Sequence, residues 1–181
     1  MVSKYVFQGS SVADLGCGPG YFTIPMAELA RPRGKVFAVD FDSKAVERVA
    51  KKAAVKGLDR IVEARIGSAA EVDFIPDHSV DFVFANGLLC CMKDHSGAVN
   101  EIRRILKDDG LAYLSVARFG SKRDPRAVTA VEWKSILEGF RVRKSGKGLL
   151  TRWALVSNED GLHPGGMGGL SASAGPACCC A

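Results

Sequence analysis

Residues 14–22 read DLGCGPGYF, and Ser11, Val12 and Ala13 stand just before them, so a short strand-like run meets glycines at positions 16, 18 and 20. Glycine costs backbone entropy. A chain keeps it at alternate positions where φ must be positive or where something comes too close for a Cβ. An ordinary tight turn between a strand and a helix satisfies the pattern, and so does a loop built against a ligand. The residues on either side decide between them.

Downstream, YFTIPMAELA places Phe22, Pro25, Met26 and Leu29 at helical spacing, with Pro25 early enough in the helix to be tolerated. The first unit is therefore strand, glycine turn, helix. KVFAVDF at 35–41 is a strand ending in acid. SKAVERVAKKAAVKG follows as a helix, with Ser43 as N-cap, Val46, Val49, Ala50 and Ala53 on one face, and Gly57 as the stop. IVEARIG at 61–67 and VDFVFAN at 80–86 are two further strands. SGAVNEIRRILKDDG is an amphipathic helix with Val99, Ile102, Ile105 and Leu106 inward and Gly110 closing it, and LAYLSVA at 111–117 is the fifth strand. A helical pattern starts at Ala127, and FRVRKSGKG with LLTRWALVS predicts a closing hairpin around Gly146 and Gly148. Strands alternating with helices predict an α/β protein with a parallel sheet covered on both faces.

The chain has 181 residues, 47% hydrophobic and 25% charged, which suits one globular domain. No apolar run approaches the ~18 residues of a spanning helix, and the N-terminus lacks the pattern of a signal peptide, so a cytoplasmic protein with no membrane insertion is expected. The six cysteines follow neither a disulfide framework nor zinc-ligand spacing, and no metal is expected. Charge is uneven: residues 102–152 carry 13 Lys or Arg against 5 Asp or Glu, whereas residues 1–101 carry 12 against 13. The basic part either meets phosphate or is a solvated face. Residues 158–181 are rich in Gly, Ser, Ala and Cys without periodicity and read as a disordered tail behind a domain spanning 1–157. The final CCCA only formally resembles a prenylation signal.

In an open α/β sheet, ligands bind beyond the carboxyl ends of the strands. The first strand ends in Asp14, Gly16, Gly18 and Gly20, the second in Asp40, Phe41 and Asp42. A carboxylate at the end of the second strand can accept both hydroxyls of a ribose. A dinucleotide pyrophosphate calls for G-x-G-x-x-G, whereas this chain has G-x-G-x-G with Asp14 two places before the first glycine. That carboxylate repels a polyanion and suits an ammonium group. The expected ligand is nucleoside-like and cationic.

DLGCGPG followed by VFAVDFD resembles the first two motifs of the class I S-adenosylmethionine-dependent methyltransferases. VDFVFANGLLCCMKDHSGAVNEIRRILKDDGLAYLSV is similar to the fourth strand, helix and fifth strand of their small-molecule branch, which includes the quinone-biosynthesis C-methyltransferases. The likeness runs from about Val12 to Ser157. It implies a Rossmann-like, seven-stranded, mainly parallel sheet with a C-terminal antiparallel strand. It also implies an enzyme that passes a methyl group from S-adenosylmethionine to a small-molecule acceptor by in-line displacement. On that resemblance Asp14 and the backbone of Gly16, Cys17 and Gly18 surround the methionine moiety, which lies against the turn as far as Gly20. Asp40 takes the ribose hydroxyls and Phe41 packs on the adenine.

Where relatives hold the adenine amine with an acid after the third strand, this chain has Ser68 and Ala69, a weaker contact. Asn86 ends the fourth strand, and its backbone is expected to face cofactor and acceptor. Methyl transfer needs no metal and little acid-base help, because positioning supplies much of the acceleration, and no catalytic residue is assigned. His95 is expected on a solvent-facing loop, His78 and His163 on the surface, and Cys90 and Cys91 in apolar packing, since no Pro-Cys context is present. The N/D-P-P-Y signature of base-amino methylation is also absent, because the chain reads ANGL. Only 13 residues precede Asp14, fewer than the family's usual helical lid. A partner subunit then supplies the lid, or the site is more open; self-association is left open. RNA is the alternative acceptor, on the basic segment with Trp133 and Trp153, and a non-catalytic cofactor-binding scaffold is a further alternative.

Overall fold

In the computed structural model, which describes residues 2–117 and 128–159, the apolar runs become one seven-stranded sheet. Its strands are β1 (Ser11–Leu15), β2 (Lys35–Asp40), β3 (Val62–Ile66), β4 (Val80–Asn86), β5 (Leu106–Ala117), β6 (Phe140–Lys147) and β7 (Thr151–Asn158), in the order β3-β2-β1-β4-β5-β7-β6. The first five are parallel, and β7 runs antiparallel to both β5 and β6. The expected Rossmann-like α/β sheet with its C-terminal antiparallel strand is the fold. The order reverses between β1 and β4, which opens a crevice at their carboxyl ends.

Alternation along β4 builds both halves of the core. Phe82 and Phe84 face one side with Met26, Ala27 and Ala30 of α1 (Thr23–Ala30) and Val49 and Ala53 of α2 (Ser43–Val55). Val83 and Ala85 face the other side with Ala98, Val99, Ile102 and Ile105 of α3 (His95–Ile105). Each large aliphatic chain sealed this way contributes about 1.5–3 kcal/mol of transfer free energy. A last helix, α4 (Ala130–Leu137), starts where the Thr129 hydroxyl accepts from Glu132 N at 3.1 Å. Ala127, where its pattern begins in the sequence, lies outside the described residues.

Three local expectations are corrected. The cap of α2 is Asp42, whose carboxylate accepts from Lys44 N at 2.9 Å because its backbone is extended while Ser43 is already helical. On that helix Ala45 is buried and Ala50 is exposed. The helix α3 stops at Ile105 rather than Gly110: Leu106 pairs with Val80, and the ladder then shifts register before Leu111 pairs with Phe82. Lys107 holds that irregularity through Asp81 at 2.6 Å.

Candidate functional site

The glycine turn is fastened to the end of β2. Gly16 N and Cys17 N both donate to Val39 O, at 2.8 and 3.0 Å, and Gly18 N donates to Asp40 Oδ2 at 2.8 Å. The other oxygen of Asp40 accepts from Asp42 N at 3.0 Å. One carboxylate thus joins the loops after β1 and β2. Gly16 sits at φ +75°, and a Cβ there would lie 3.0 Å from Leu88 Cδ1. Gly20, at φ +83°, would press on Val49 Cγ2 at the same distance. Both positions demand glycine through a left-handed backbone and close neighbours.

A cavity of about 360 Å³ opens against this turn at the strand carboxyl ends. Gly16, Asp40, Phe41, Ser68 and Ala69 line one side, and Gly87, Leu88, Cys91 and Met92 line the other. Phe41 is 78% exposed and stands at the rim. The Ser68 hydroxyl accepts from Ala70 N at 3.1 Å, shaping the turn after β3. Five residues expected at the site therefore do meet around one space, and Gly18 borders it through Asp40.

The remaining expected residues stand elsewhere. Asp14 is 3% exposed behind the turn, where Thr23 Oγ1 donates to its Oδ2 at 2.5 Å. Burial pushes its carboxyl up to about 7, against the lowering effect of the Thr23 bond and with a further push from the charge of Asp40. Cys17 is also buried. Its thiol is driven well above the usual range, first by burial and then by the charges of Asp14 and Asp40. Gly20 packs on α2. Asn86 is exposed, and its Oδ1 accepts from Ser115 Oγ at 2.8 Å, apart from the residues lining the cavity.

The wall from Gly87 to Met92 was not foreseen. A glycine directly after a strand end was its one sequence signal, and Gly87 does adopt φ +69°. The 3-10 turn Leu89–Cys91 brings the Sγ atoms of Cys90 and Cys91 to Gly87 O, at 3.2 and 3.4 Å. Cys91 is exposed on the cavity rather than packed in the core. His95 is likewise not a loop residue: it is 7% exposed in α3, with Nε2 2.9 Å from Met92 O and Nδ1 2.6 Å from Glu132 Oε1. It ties the cavity wall to α4. His78 is on the surface, as expected, and His163 lies outside the described residues. Among the described residues, no cluster of three or more His, Cys, Asp or Glu side chains is arranged to hold a metal, and no helix is long and apolar enough to cross a membrane.

Residues 13–114 match the methyltransferase domain family, from the middle of β1 through most of β5. The chain belongs to this family. Among proteins of similar sequence is the demethylmenaquinone methyltransferase of Lactobacillus johnsonii, 28% identical over 132 residues that make up 73% of this chain and 52% of that protein. That of Geobacillus stearothermophilus is 31% identical over 106 residues, 59% of this chain and 44% of that protein. The nocamycin O-methyltransferase of Saccharothrix syringae is 33% identical over 102 residues, 56% of this chain and 36% of that protein. The chain thus spans about half the length, or less, of these curated relatives. The fold is shared with a SAM-dependent methyltransferase from Aquifex aeolicus, at a TM-score of 0.68 and 24% identity over 85% of each chain. It is also shared with the PH0226 protein of Pyrococcus horikoshii, at 0.72 and 18% identity over 87% of this chain and 86% of that one.

Proposed function

We propose that the protein transfers a methyl group from S-adenosylmethionine to a small-molecule acceptor. The observation that carries this reading is the cavity between the glycine turn and the Gly87–Met92 wall, with the Asp40 carboxylate at its edge. The residues fit the cofactor. Nothing lies within 4 Å of where a Cβ on Gly18 or Gly87 would stand, so backbone is open to a ligand on both sides. Each oxygen of Asp40 accepts one backbone N–H and keeps a lone pair for a ribose hydroxyl. Bound there, S-adenosylmethionine supplies a methyl group already activated by its sulfonium.

The chain's own part is binding and orientation. Asp40 holds the ribose, Phe41 covers the adenine from the rim, and Ser68 and Ala69 with Leu88 and Met92 enclose the ring. The backbone of Gly16 and Gly18 lies against the methionine moiety. Asp14, Cys17 and Gly20 act through the turn they support, and the Asp14 carboxyl fixes Thr23 at the start of α1 rather than reaching the ligand. Asn86 and Gly87 face the acceptor side, held by the Ser115 hydroxyl, which donates to Asn86 Oδ1 and accepts from Gly87 N at 3.0 Å. His95 is engaged on both ring nitrogens, and catalysis in this reading comes from positioning.

The relatives named as demethylmenaquinone and nocamycin methyltransferases favour a small acceptor. The functional unit in this reading ends with β7 at Asn158, one residue beyond the expected boundary, since Asn158 pairs with Phe140 and bonds Arg103 O; residues 160–181 add nothing to it, and the protein works in the cytoplasm. Incubation with methyl-labelled S-adenosylmethionine and a panel of quinols, phenols and enolic acids tests the assignment. Label in one of these, dependent on Asp40, is expected; label in none of them with intact cofactor binding would overturn the small-molecule acceptor.

A further inference from the structure

A second surface shares no lining residue with the cavity. On the face where Phe82 and Phe84 point, aromatic rings run across the sheet: Phe84 stacks on Tyr113 at 5.3 Å and 16°, and Tyr113 on Trp153 at 6.0 Å and 21°. Tyr5 stacks on Phe82 at 5.4 Å and 18°. The indole of Trp153 spreads over the edge strand at Gly146, where a Cβ would come within 2.6 Å of Nε1. Tyr5, Tyr113 and Trp153 are half-buried, and with Lys4, Lys144 and Leu155 they line a hollow of about 310 Å³. Helices α1 and α2 pack over β1, β2 and β3, so the β5–β7 part of this face lies beyond them.

Cations border the rings. Residues 140–153 contain Arg141, Arg143, Lys144, Lys147 and Arg152 and no acid. Arg141 pairs in register with Ser157 and Lys144 with Leu155, which turns both toward the aromatic face, and Arg143 Nε donates to Ser157 Oγ at 3.0 Å beside them. Among the described residues no ion pair engages Lys4 or Lys144. A strand of eight residues extends over ~26 Å, longer than any one small anion and suited to a chain of phosphates.

We propose that this face binds single-stranded RNA, with bases stacked on Trp153 and Tyr5 and phosphates along Lys4, Arg141, Arg143 and Lys144. Flat rings beside a basic row are what an unpaired strand recognises, because its bases are free to stack while its backbone follows the charges. A duplex offers phosphates but no free base faces. The inference goes beyond methyl transfer and does not depend on it.

The test is fluorescence anisotropy with a labelled single-stranded RNA of about 12 nucleotides, titrated at several salt concentrations. Four phosphate contacts predict that log K falls with log salt at a slope of about −3. The double substitution Arg141→Glu and Lys144→Glu, both on an exposed edge, is expected to weaken binding more than about tenfold and to flatten the slope by about 1.4. Trp153→Leu is expected to weaken binding while leaving the slope unchanged, since stacking releases no counterions. Circular dichroism on each variant controls for folding. No binding by the wild type, equal affinity for the duplex or for heparin, or an unchanged affinity in well-folded Trp153→Leu would each overturn the proposal. Calorimetry with S-adenosylhomocysteine on the same wild-type sample separates the two claims: its failure would strike the methyl-transfer reading and leave the RNA result standing.

Discussion

Replacing Asp14 by Asn removes a carboxyl that folding holds in its protonated form. The native group titrates at about 7 against an ordinary 3.8, mainly through burial. Three units at about 1.4 kcal/mol each give about 4 kcal/mol between the two protonation states. The sign follows from the raised value: between about pH 4 and 7 the native protein keeps a proton that the unfolded chain releases. The group's stabilisation is therefore complete below about pH 4, declines through neutrality and is gone above about pH 7. The Asp14→Asn carboxamide has the shape of the protonated acid, still accepts the Thr23 hydroxyl through its oxygen, and does not titrate. Urea denaturation of both proteins at about pH 4 and about pH 8 isolates the effect, because every other group titrates in both and cancels in the difference. The variant should gain about 4 kcal/mol on the wild type across that interval. Parallel stability profiles would refute the claim that the native carboxyl is held protonated by its surroundings.

Gly20→Ala forces a Cβ to 3.0 Å from Val49 Cγ2 at φ +83°, and should cost about 1–3 kcal/mol; an unchanged melting temperature would contradict it. His95→Ala leaves Glu132 and the Met92 carbonyl without the ring that joins them. It should cost about 2 kcal/mol and speed hydrogen exchange of the 88–92 amides more than those of β1, whereas uniform acceleration would deny His95 a role in fixing the cavity wall. Ending the chain after Glu159 keeps Asn158, whose Nδ2 donates to Arg103 O at 3.0 Å, and should leave thermal stability and cofactor affinity unchanged. A melting temperature lower by about 4 °C or more would show that the removed residues pack on the domain.

The strands, their parallel order and the glycine turn were legible because each rests on local pattern: alternation along β4, helical spacing of the inward residues of α3, and glycines where the turn has positive φ. The errors arose where two local signals were equivalent or where the deciding partner is remote. Ser43 and Asp42 both cap helices well, and only the extended backbone of Asp42 selects it. Lys-Asp-Asp-Gly at 107–110 reads as a helix end, yet pairing of Leu106 with Val80 has already begun the strand. A carboxylate two places before a glycine reads as a ligand contact, and nothing local announces that Thr23, nine residues on, donates to Asp14. Nothing near His95 in sequence announces Glu132, and the Gly87–Met92 wall exists only because the loop after β4 folds back toward the turn after β1.

Calorimetric titration with S-adenosylhomocysteine, on the wild type and on Asp40→Ala, tests the central claim most directly. The wild type should bind one equivalent. Loss of two charge-assisted hydrogen bonds to the ribose should then weaken Asp40→Ala by about 100-fold or more. A wild type that binds nothing, or a folded Asp40→Ala that binds as well as the wild type, would contradict the account.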